Sequence, residues 1–206
     1  MRPALLAPLL LLTTPLEAQA PQMPTTPPGA PDAARVVAGT YHADPDHTQV
    51  LFTVNHMGFS LFDGAFGGAT GTLVLDPKNP AAARVDIEIP IARIATTSTE
   101  LDTHLKGADF FDAAKFPTAR FVSTKVVPNG TRATISGTLT VKGISKPVVL
   151  DAHFIGAGTN FMTKEAALGF RATTRVKRSD FGVSYGIPLV SDEVDLTINV
   201  AFDRQK

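Results

Sequence analysis

Apolar and polar residues alternate with a period of two along most of the chain after residue 49. Val85, Ile87 and Ile89 share one face of a predicted strand, and the charged residues between them share the other. The last predicted strand repeats the alternation from Val194 to Phe202. A period of two is that of a β-strand with one buried face. The pattern therefore predicts an all-β protein.

Eight segments carry this alternation, and the turns between several of them are short. The candidate strands are 49–55, 69–76, 84–90, 119–127, 132–142, 146–155, 166–177 and 194–203. Asn129 and Gly130 form a strong hairpin signal between two of them. The connections at 76–80 and 142–147 are also short. Short connections leave no room for crossover helices, so we expect the strands to pair antiparallel.

The segment 97–117 interrupts the alternation and predicts two short helical turns. Thr97 and Glu100 have the spacing of a capping box at the start of the first turn. Gly107 is expected to end that turn, and Asp109 is expected to cap the second. We therefore predict a helical insertion near residues 97–116 of an otherwise β-strand chain.

Eight antiparallel strands with one apolar face each form either a closed barrel or a two-sheet sandwich. Glycines are frequent between residues 58 and 71, and glycine permits the sharp bends that coiled barrel strands need. This observation favours an eight-stranded antiparallel barrel, with the sandwich as the alternative. The interior of such a barrel is either filled by side chains or wide enough for one small ligand.

The amino-terminal residues predict an export signal followed by a linker. Arg2 precedes an apolar run, and residues 18–20 form a small-x-small cleavage site. A membrane anchor is the alternative, but the run is shorter than the roughly 20 residues that a span needs. Residues 21–35 are rich in Pro and Thr and predict a disordered or extended linker outside the fold. The folded domain is expected to occupy residues 36–206.

Composition and charge narrow the classes of partner. Lys and Arg together number 19, as do Asp and Glu, so electrostatics give no reason to expect nucleic acid. The chain has no cysteine, which excludes disulfides, thiolate metal sites and cysteine nucleophiles. Its five histidines show no tight metal-binding spacing, so we predict neither a metal nor a cofactor.

The motifs that could indicate catalysis are incomplete. The glycine-rich run 64–71 lacks the Lys-Ser/Thr ending of a phosphate-binding loop. The triplet 180–182 spells a kinase motif without the other kinase motifs. Ser60 and His56 are not accompanied by a nucleophile elbow. We therefore predict no catalytic residues and a protein that is not an enzyme.

The chain has thirteen phenylalanines, and many of them cluster near the first loops and the insertion. Rigid aromatic rings suit the lining of an apolar cavity or a lid above it, although ordinary core packing is the alternative. The residues predicted for the cavity and lid are Phe59, Phe62, Phe110, Phe111, Phe116 and Phe121. The residues predicted for a polar cavity mouth are His56, Ser60, Arg178 and Asp180. Alternatively, Arg178 and Asp180 form a pair that only stabilises their loop.

Four segments of the chain are distinctive: DPDHTQVLFTVNHMGFS at 44–60, LDTHLKGADFFDAAKFPTARFVS at 101–123, GTLTVKGISKPVVL at 137–150 and RSDFG at 178–182. Together they resemble the YceI-like family of bacterial envelope proteins, and they occur in the family's order from about residue 38 to 203. The positions that match short family motifs are His56, Gly58, Ser60, Asp109, Phe110, Phe111, Asp112, Arg178, Asp180, Phe181 and Gly182.

The resemblance implies a lipocalin-like barrel with an elongated apolar cavity that holds a polyisoprenoid or another long-chain lipid. It also implies a periplasmic location, which agrees with the predicted export signal. We therefore expect a non-enzymatic lipid carrier or store. A lipid- or quinone-modifying enzyme and a fully packed interaction module are the alternatives. The oligomeric state, including a homodimer, and a transient membrane contact stay open.

Overall fold

The computed structural model describes residues 23–205, and the strands within that range form one antiparallel sheet. The eleven strands are β1 Gly39–Ala43, β2 Gln49–His56, β3 Ser60–Gly67, β4 Thr70–Leu75, β5 Arg84–Pro90, β6 Ile94–Ala95, β7 Thr118–Asn129, β8 Arg132–Val141, β9 Ile144–Thr159, β10 Ala166–Lys177 and β11 Glu193–Arg204. One α-helix, α1 Thr99–Lys106, and four 3-10 turns at Ala33–Arg35, Pro80–Ala82, Ile91–Arg93 and Arg178–Phe181 complete the described secondary structure.

The sheet closes because β1 pairs with both β4 and β11. The carboxyl-terminal end of β11 pairs with β1, and its amino-terminal half pairs with β2. Strands β1 and β2 therefore lie end to end and share one position in the barrel wall. Strands β3 and β4 share the next position, and β5 and β6 the one after. The eleven strands thus occupy eight positions, and the predicted eight-stranded antiparallel barrel is confirmed.

Each of the eight predicted strands is present, but β1, β3 and β6 were not predicted. In β3 the apolar alternation is broken by Gly64, which lies opposite Phe52 in the ladder. The Phe52 ring occupies the space beside this glycine, because a Cβ added there would lie 2.2 Å from the ring. The Phe52 ring of β2 thus fills the space that a side chain at position 64 of β3 would occupy. Because glycine stands at that position, the sequence of β3 does not show the usual alternation.

The predicted insertion is present, with one helix instead of two helical turns. The helix cap is Ser98 rather than Thr97, because the Ser98 hydroxyl accepts a hydrogen bond from the Leu101 amide at 3.3 Å. Gly107 ends α1 as predicted. Asp109 caps no second helix, since the chain forms hydrogen-bonded turns after Gly107 and bends at Asp112, where φ is 49°.

The segment before β1 contacts the barrel, which corrects the expectation that all of residues 21–35 stay outside the fold. Ala30 exchanges two backbone hydrogen bonds with Ala157 of β9. Room for this segment comes from Gly156 and Gly158, whose added Cβ atoms would lie 3.0 and 2.1 Å from carbonyl oxygens of the segment. We call residues 28–35 the amino-terminal strap. The predicted signal at residues 1–20 lies outside the described residues.

Residues 23–205 include no helix with the length and hydropathy that a membrane span requires.

Candidate binding cavity

The barrel interior contains two adjoining cavities of about 330 and 480 Å³. Four apolar side chains line both cavities, so the cavities meet in the middle of the barrel. We call this group the collar: Val50, Ile89, Leu139 and Leu196. For scale, an apolar cavity of about 150 Å³ accommodates benzene. The expected alternative of an interior completely filled by side chains is therefore wrong.

The walls of both cavities are built from the alternating residues of the strands. Val85, Ile87 and Ile135 point into the smaller cavity, and Val141 and Val194 point into the larger one. Most of these side chains are only half-buried although they face inward. Their residual exposure is exposure to the cavity, as expected for a barrel that is closed as a sheet but hollow inside.

The larger cavity reaches the surface at one end of the barrel. His56, Ser60 and Tyr185 line this cavity and are also exposed to solvent. His56 and Ser60 face each other where β2 and β3 meet. Tyr185 belongs to the loop between β10 and β11, residues 178–192, which we call the mouth loop. The opening between the β2–β3 hairpin and the mouth loop is the mouth.

Aromatic contacts connect the insertion to the barrel wall and to the mouth loop. The Phe111 ring meets the Phe66 ring edge-on, with 5.4 Å between centroids. His104 of α1, Phe110 and Tyr185 lie within 5.0–5.3 Å of one another between ring centroids. Edge-to-face and tilted pairs at such distances are favourable beyond their burial. The insertion thus covers one side of the mouth and contacts the mouth loop there.

Arg178 organises the mouth loop from inside. Its guanidinium donates to the backbone carbonyls of Ser191, Val183, Tyr185 and Val190 at 2.8–3.0 Å. These four bonds use four of its five N–H groups. Burial lowers the pKa of Arg178, and the nearby Asp192 opposes that change. A buried cation that donates to carbonyls on both sides of a loop stabilises the loop's shape.

The expected pair of Arg178 with Asp180 is not formed. Asp180 is exposed and lines neither cavity. The carboxylate that takes part in the loop is Asp192, which accepts from the Ser179 amide at 2.9 Å and from the Ser179 hydroxyl at 2.7 Å. Asp180 lies in the 3-10 turn that begins at Arg178.

The structure places most of the predicted site residues around the larger cavity. Those that line it are Phe62, Phe110, Phe111, His56, Ser60 and Arg178. Phe121 lines the smaller cavity. Phe59 and Phe116 line neither, which corrects their predicted position: Phe59 is 86% exposed beside the hairpin turn, and Phe116 packs on Gly143. Whether any of these side chains contacts a ligand stays a prediction.

The smaller cavity ends at the opposite side of the barrel, which we call the far end. Ala33 of the strap, Pro77 and Pro128 line it there. Three phenylalanines from adjacent strands, Phe154, Phe170 and Phe202, form a series with 5.7 and 6.5 Å between neighbouring centroids. The far end is therefore as apolar inside as the mouth, and short turns and the strap border its opening to solvent.

Residues 41–202 match the family model of the YceI-like domain. The chain belongs to the YceI-like family. It is 40% identical to Protein YceI of Escherichia coli O6:H1 over 176 residues, which cover 84% of this chain and 92% of that protein. The barrel is similar to the crystal structure of Burkholderia cenocepacia BcnA, with a TM-score of 0.69, 25% identity, and coverage of 77% of this chain and 98% of that one.

The same fold is found in a polyisoprenoid binding domain from Saccharophagus degradans. The TM-score is 0.59 and the match covers 82% of this chain and 100% of that domain. Sequence identity is 12%, so this likeness shows a shared YceI-like architecture and nothing about the residues that contact a ligand.

Sequence reasoning missed two groups of lining residues in this YceI-like domain. The alternation in the predicted strands places the four collar residues on the inward face of the sheet. No sequence signal shows that these four residues meet in the middle of the barrel. Tyr185 was missed because the mouth loop has no period of two. One signal was available: residues 181–191 carry no formal charge, which is unusual for an exposed loop.

The histidines show no arrangement for metal binding in the described part of the chain. His47 lies outside both cavities and bonds to Asp44 at 2.6 Å, and this hydrogen bond raises the pKa of His47. Within residues 23–205, no three His, Asp or Glu side chains converge as metal ligands would.

Proposed function

We propose that this protein binds and carries an apolar lipid of the polyisoprenoid type in the barrel, without catalysing a reaction on it. The observation that carries the proposal is the pair of adjoining apolar cavities that reach the surface at the mouth. Their joint shape follows the barrel, which suits a long chain better than a compact ligand. A polar head group would lie near His56 and Ser60 at the opening.

The physical reason for such a carrier is the cost of exposing hydrocarbon to water. Each buried CH₂ group is worth about 0.8 kcal/mol, so a long prenyl chain strongly favours an apolar interior over water. The collar offers such an interior across the middle of the barrel. A polar mouth then keeps the head group hydrated while the chain is shielded.

One comparison supports the class of ligand, and a sequence pattern supports the compartment. A domain of the same fold is described as polyisoprenoid binding, which makes that lipid class the first to test. The amino-terminal pattern of residues 1–20 is typical of an export signal and supports a periplasmic location.

The proposal is tested by expressing the full chain in a Gram-negative host and recovering the protein from the periplasm. Native mass spectrometry followed by organic extraction should find one prenyl lipid per protein. Protein that is recovered empty and takes up no added polyprenol would contradict the proposal.

A collar variant sharpens this test. In Leu139→Trp the indole would fill the junction of the two cavities, so a long polyprenol could no longer extend through both. We expect its affinity to fall by about tenfold or more, while farnesol, which needs one cavity, keeps its affinity. Val149→Trp is the matched control, because Val149 faces outward on β9 and is exposed. A Leu139→Trp variant that binds the long polyprenol as tightly as the unchanged protein does would contradict the continuous binding site.

A further inference from the structure

Five large apolar side chains are exposed beside the mouth. They come from the β2–β3 hairpin and from the mouth loop. We call them the mouth rim: Met57, Phe59, Leu61, Tyr185 and Leu189. Phe59 is 86% exposed and Leu189 is 60% exposed, and neither lines a cavity. Apolar side chains grouped in this way around an opening are characteristic of an interaction surface.

The two segments that carry the rim contain no Asp, Glu, Lys or Arg. These segments are residues 54–62 and 181–191, although 18% of the whole chain is charged. Exposed hairpin tips and loops usually carry charges, because charged residues are the ones most often found at the surface. The absence of charge from both segments removes the main cost of moving them into an apolar environment.

Backbone hydrogen bonds join the two segments into one surface. The Met57 amide donates to the Leu189 carbonyl at 2.6 Å, and the Ser191 amide donates to the Asn55 carbonyl at 2.9 Å. His56 and Val190 form a β-bridge between these bonds. The rim is therefore a unit of fixed geometry at the edge of the mouth.

Met57 occupies a position that neither its backbone nor its burial favours. Its φ of 57° lies in the left-handed region, where Gly or Asn is the usual residue, and its side chain is 47% exposed. A methionine at such a turn is only about half-buried in this fold. A long apolar side chain is useful there if another apolar phase covers it.

Charges of both signs border the rim. Lys142 donates from Nζ to the carbonyls of Ala108 and Gly182 at 3.3 and 3.2 Å, so a cation lies directly behind the mouth loop. Asp180 is exposed at the same border. The mixed signs make a purely electrostatic docking partner a poor fit, and they leave apolar contact as the main attraction.

We propose that the mouth rim docks into the interface of a lipid bilayer. This inference rests on the proposed function, because an apolar chain held in the larger cavity would then pass between bilayer and protein without crossing water. Uncharged segments with exposed Phe, Leu, Met and Tyr side chains have the composition that partitions into the membrane interface. A protein partner that covered the rim permanently would close the mouth, whereas a bilayer supplies and receives the ligand there.

The test measures sedimentation of the full chain with vesicles of phosphatidylethanolamine and phosphatidylglycerol that contain no prenyl lipid. The rim variant is Phe59→Ser/Leu189→Ser. The matched control is Val149→Ser/Met162→Ser, which removes two apolar side chains that are 55% and 80% exposed and do not belong to the rim. All variants share the same amino-terminal residues, so any vesicle binding by those residues cancels.

We expect the partition coefficient of the rim variant to fall by about tenfold or more, because two apolar side chains no longer insert. The control variant should stay within about twofold of the unchanged protein. Raising the salt concentration should change the result little, since screening weakens electrostatic docking only. All four substituted residues are exposed, so both variants should melt at the temperature of the unchanged protein.

Three results would overturn the docking proposal: no sedimentation of the unchanged protein, an equal loss in both variants, or a dimer without vesicles that the rim variant dissociates. In the last case the rim binds a second copy instead. Farnesol uptake from aqueous dispersion separates this proposal from the proposed function. Uptake without vesicle binding contradicts only the docking. Vesicle binding without uptake of farnesol or a longer prenol contradicts only the lipid-carrier function.

Discussion

The two ends of the barrel are covered in different ways. At the mouth, α1 and the mouth loop contact each other through His104, Phe110 and Tyr185. At the far end, short turns and the amino-terminal strap border the opening, and Ala33 and Val36 line the smaller cavity. The interior is apolar at both ends, so the difference lies in what covers it.

The interactions that hold the two covers differ in kind. One buried cation in the mouth loop donates to four of its carbonyls, so a single side chain joins distant parts of that loop. The strap is held mainly by two backbone hydrogen bonds between Ala30 and Ala157, over glycines that leave room for it. We therefore expect loss of the Arg178 side chain to destabilise the whole mouth loop. The strap, in contrast, should detach from β9 without destabilising the barrel.

The largest expected effect comes from Arg178→Ala. The substitution leaves four carbonyls of the mouth loop without their donor and removes a buried side chain that packs beside the larger cavity. We expect the free energy of unfolding to fall by about 3 kcal/mol. For a domain of this size, the melting temperature should then fall by roughly 6–12 °C, measured by circular dichroism.

Arg175→Ala is the control for this loss. Arg175 lies near the end of β10, three residues before Arg178, but it is on the outer wall in an exposed pair with Asp195. Its removal should change the melting temperature far less than Arg178→Ala does. Equal losses for the two variants would show that Arg178 has no special role in the mouth loop.

A smaller effect is expected at the far end from Gly158→Ala. The new Cβ would lie 2.1 Å from the Pro28 carbonyl oxygen, so the strap must move away from β9. The barrel itself loses little, and we expect about 1 kcal/mol or less in unfolding free energy. Trypsin cleavage after Arg35, which is exposed, should become about tenfold faster because the strap opens more often.

Gly169→Ala provides the matched control on the neighbouring strand. A Cβ at Gly169 would meet its nearest atom, the Val200 carbonyl oxygen, at an ordinary 3.5 Å. Cleavage after Arg35 should therefore keep its original rate. If Gly158→Ala also leaves that rate unchanged, the strap is not held by its close approach to β9.

The barrel wall was predictable because its physical cause is local. Alternation such as Val85, Ile87 and Ile89 reports directly that one face of a strand is buried. All eight predicted strands are present for that reason. The strand β3 was not predicted because the Phe52 ring of β2 fills the space beside Gly64 of β3. This contact joins two strands in the folded protein, so the local sequence pattern of β3 does not show it.

The covers of the barrel were predicted less well, because their interactions join residues that are distant in the chain. Phe110 and Phe111 line the larger cavity, and they were singled out because the insertion that carries them was recognised. Arg178 was recognised as a candidate, but its partners turned out to be backbone carbonyls, which no sequence motif identifies. Phe59 was assigned to the cavity because it is aromatic, whereas the hairpin turn directs it outward.

The smallest expected effect tests whether the difference between the ends extends into the wall. Each end has one bidentate Arg–Asp pair on its outer surface. Asp195, near the mouth, accepts from Arg175 at 2.6 and 2.8 Å, and Asp86, toward the far end, accepts from Arg120 at 2.8 and 2.5 Å. The hydrogen bond from the arginine lowers the pKa of each carboxyl. Both pairs are partly exposed, so solvent screening keeps their contribution small.

A carboxyl whose pKa is lower in the folded state stabilises the fold at a pH above its unfolded value, which is about 3.9 for Asp. That stability is lost as the pH falls through the lower folded value. Asp86→Asn and Asp195→Asn should therefore each lower the urea midpoint slightly at neutral pH and converge with the unchanged protein in acid. We expect the two variants to behave alike, because the wall is built in the same way at both ends. A clear difference in their urea midpoints at neutral pH would mean that the strands near the mouth and the strands near the far end also differ in stability.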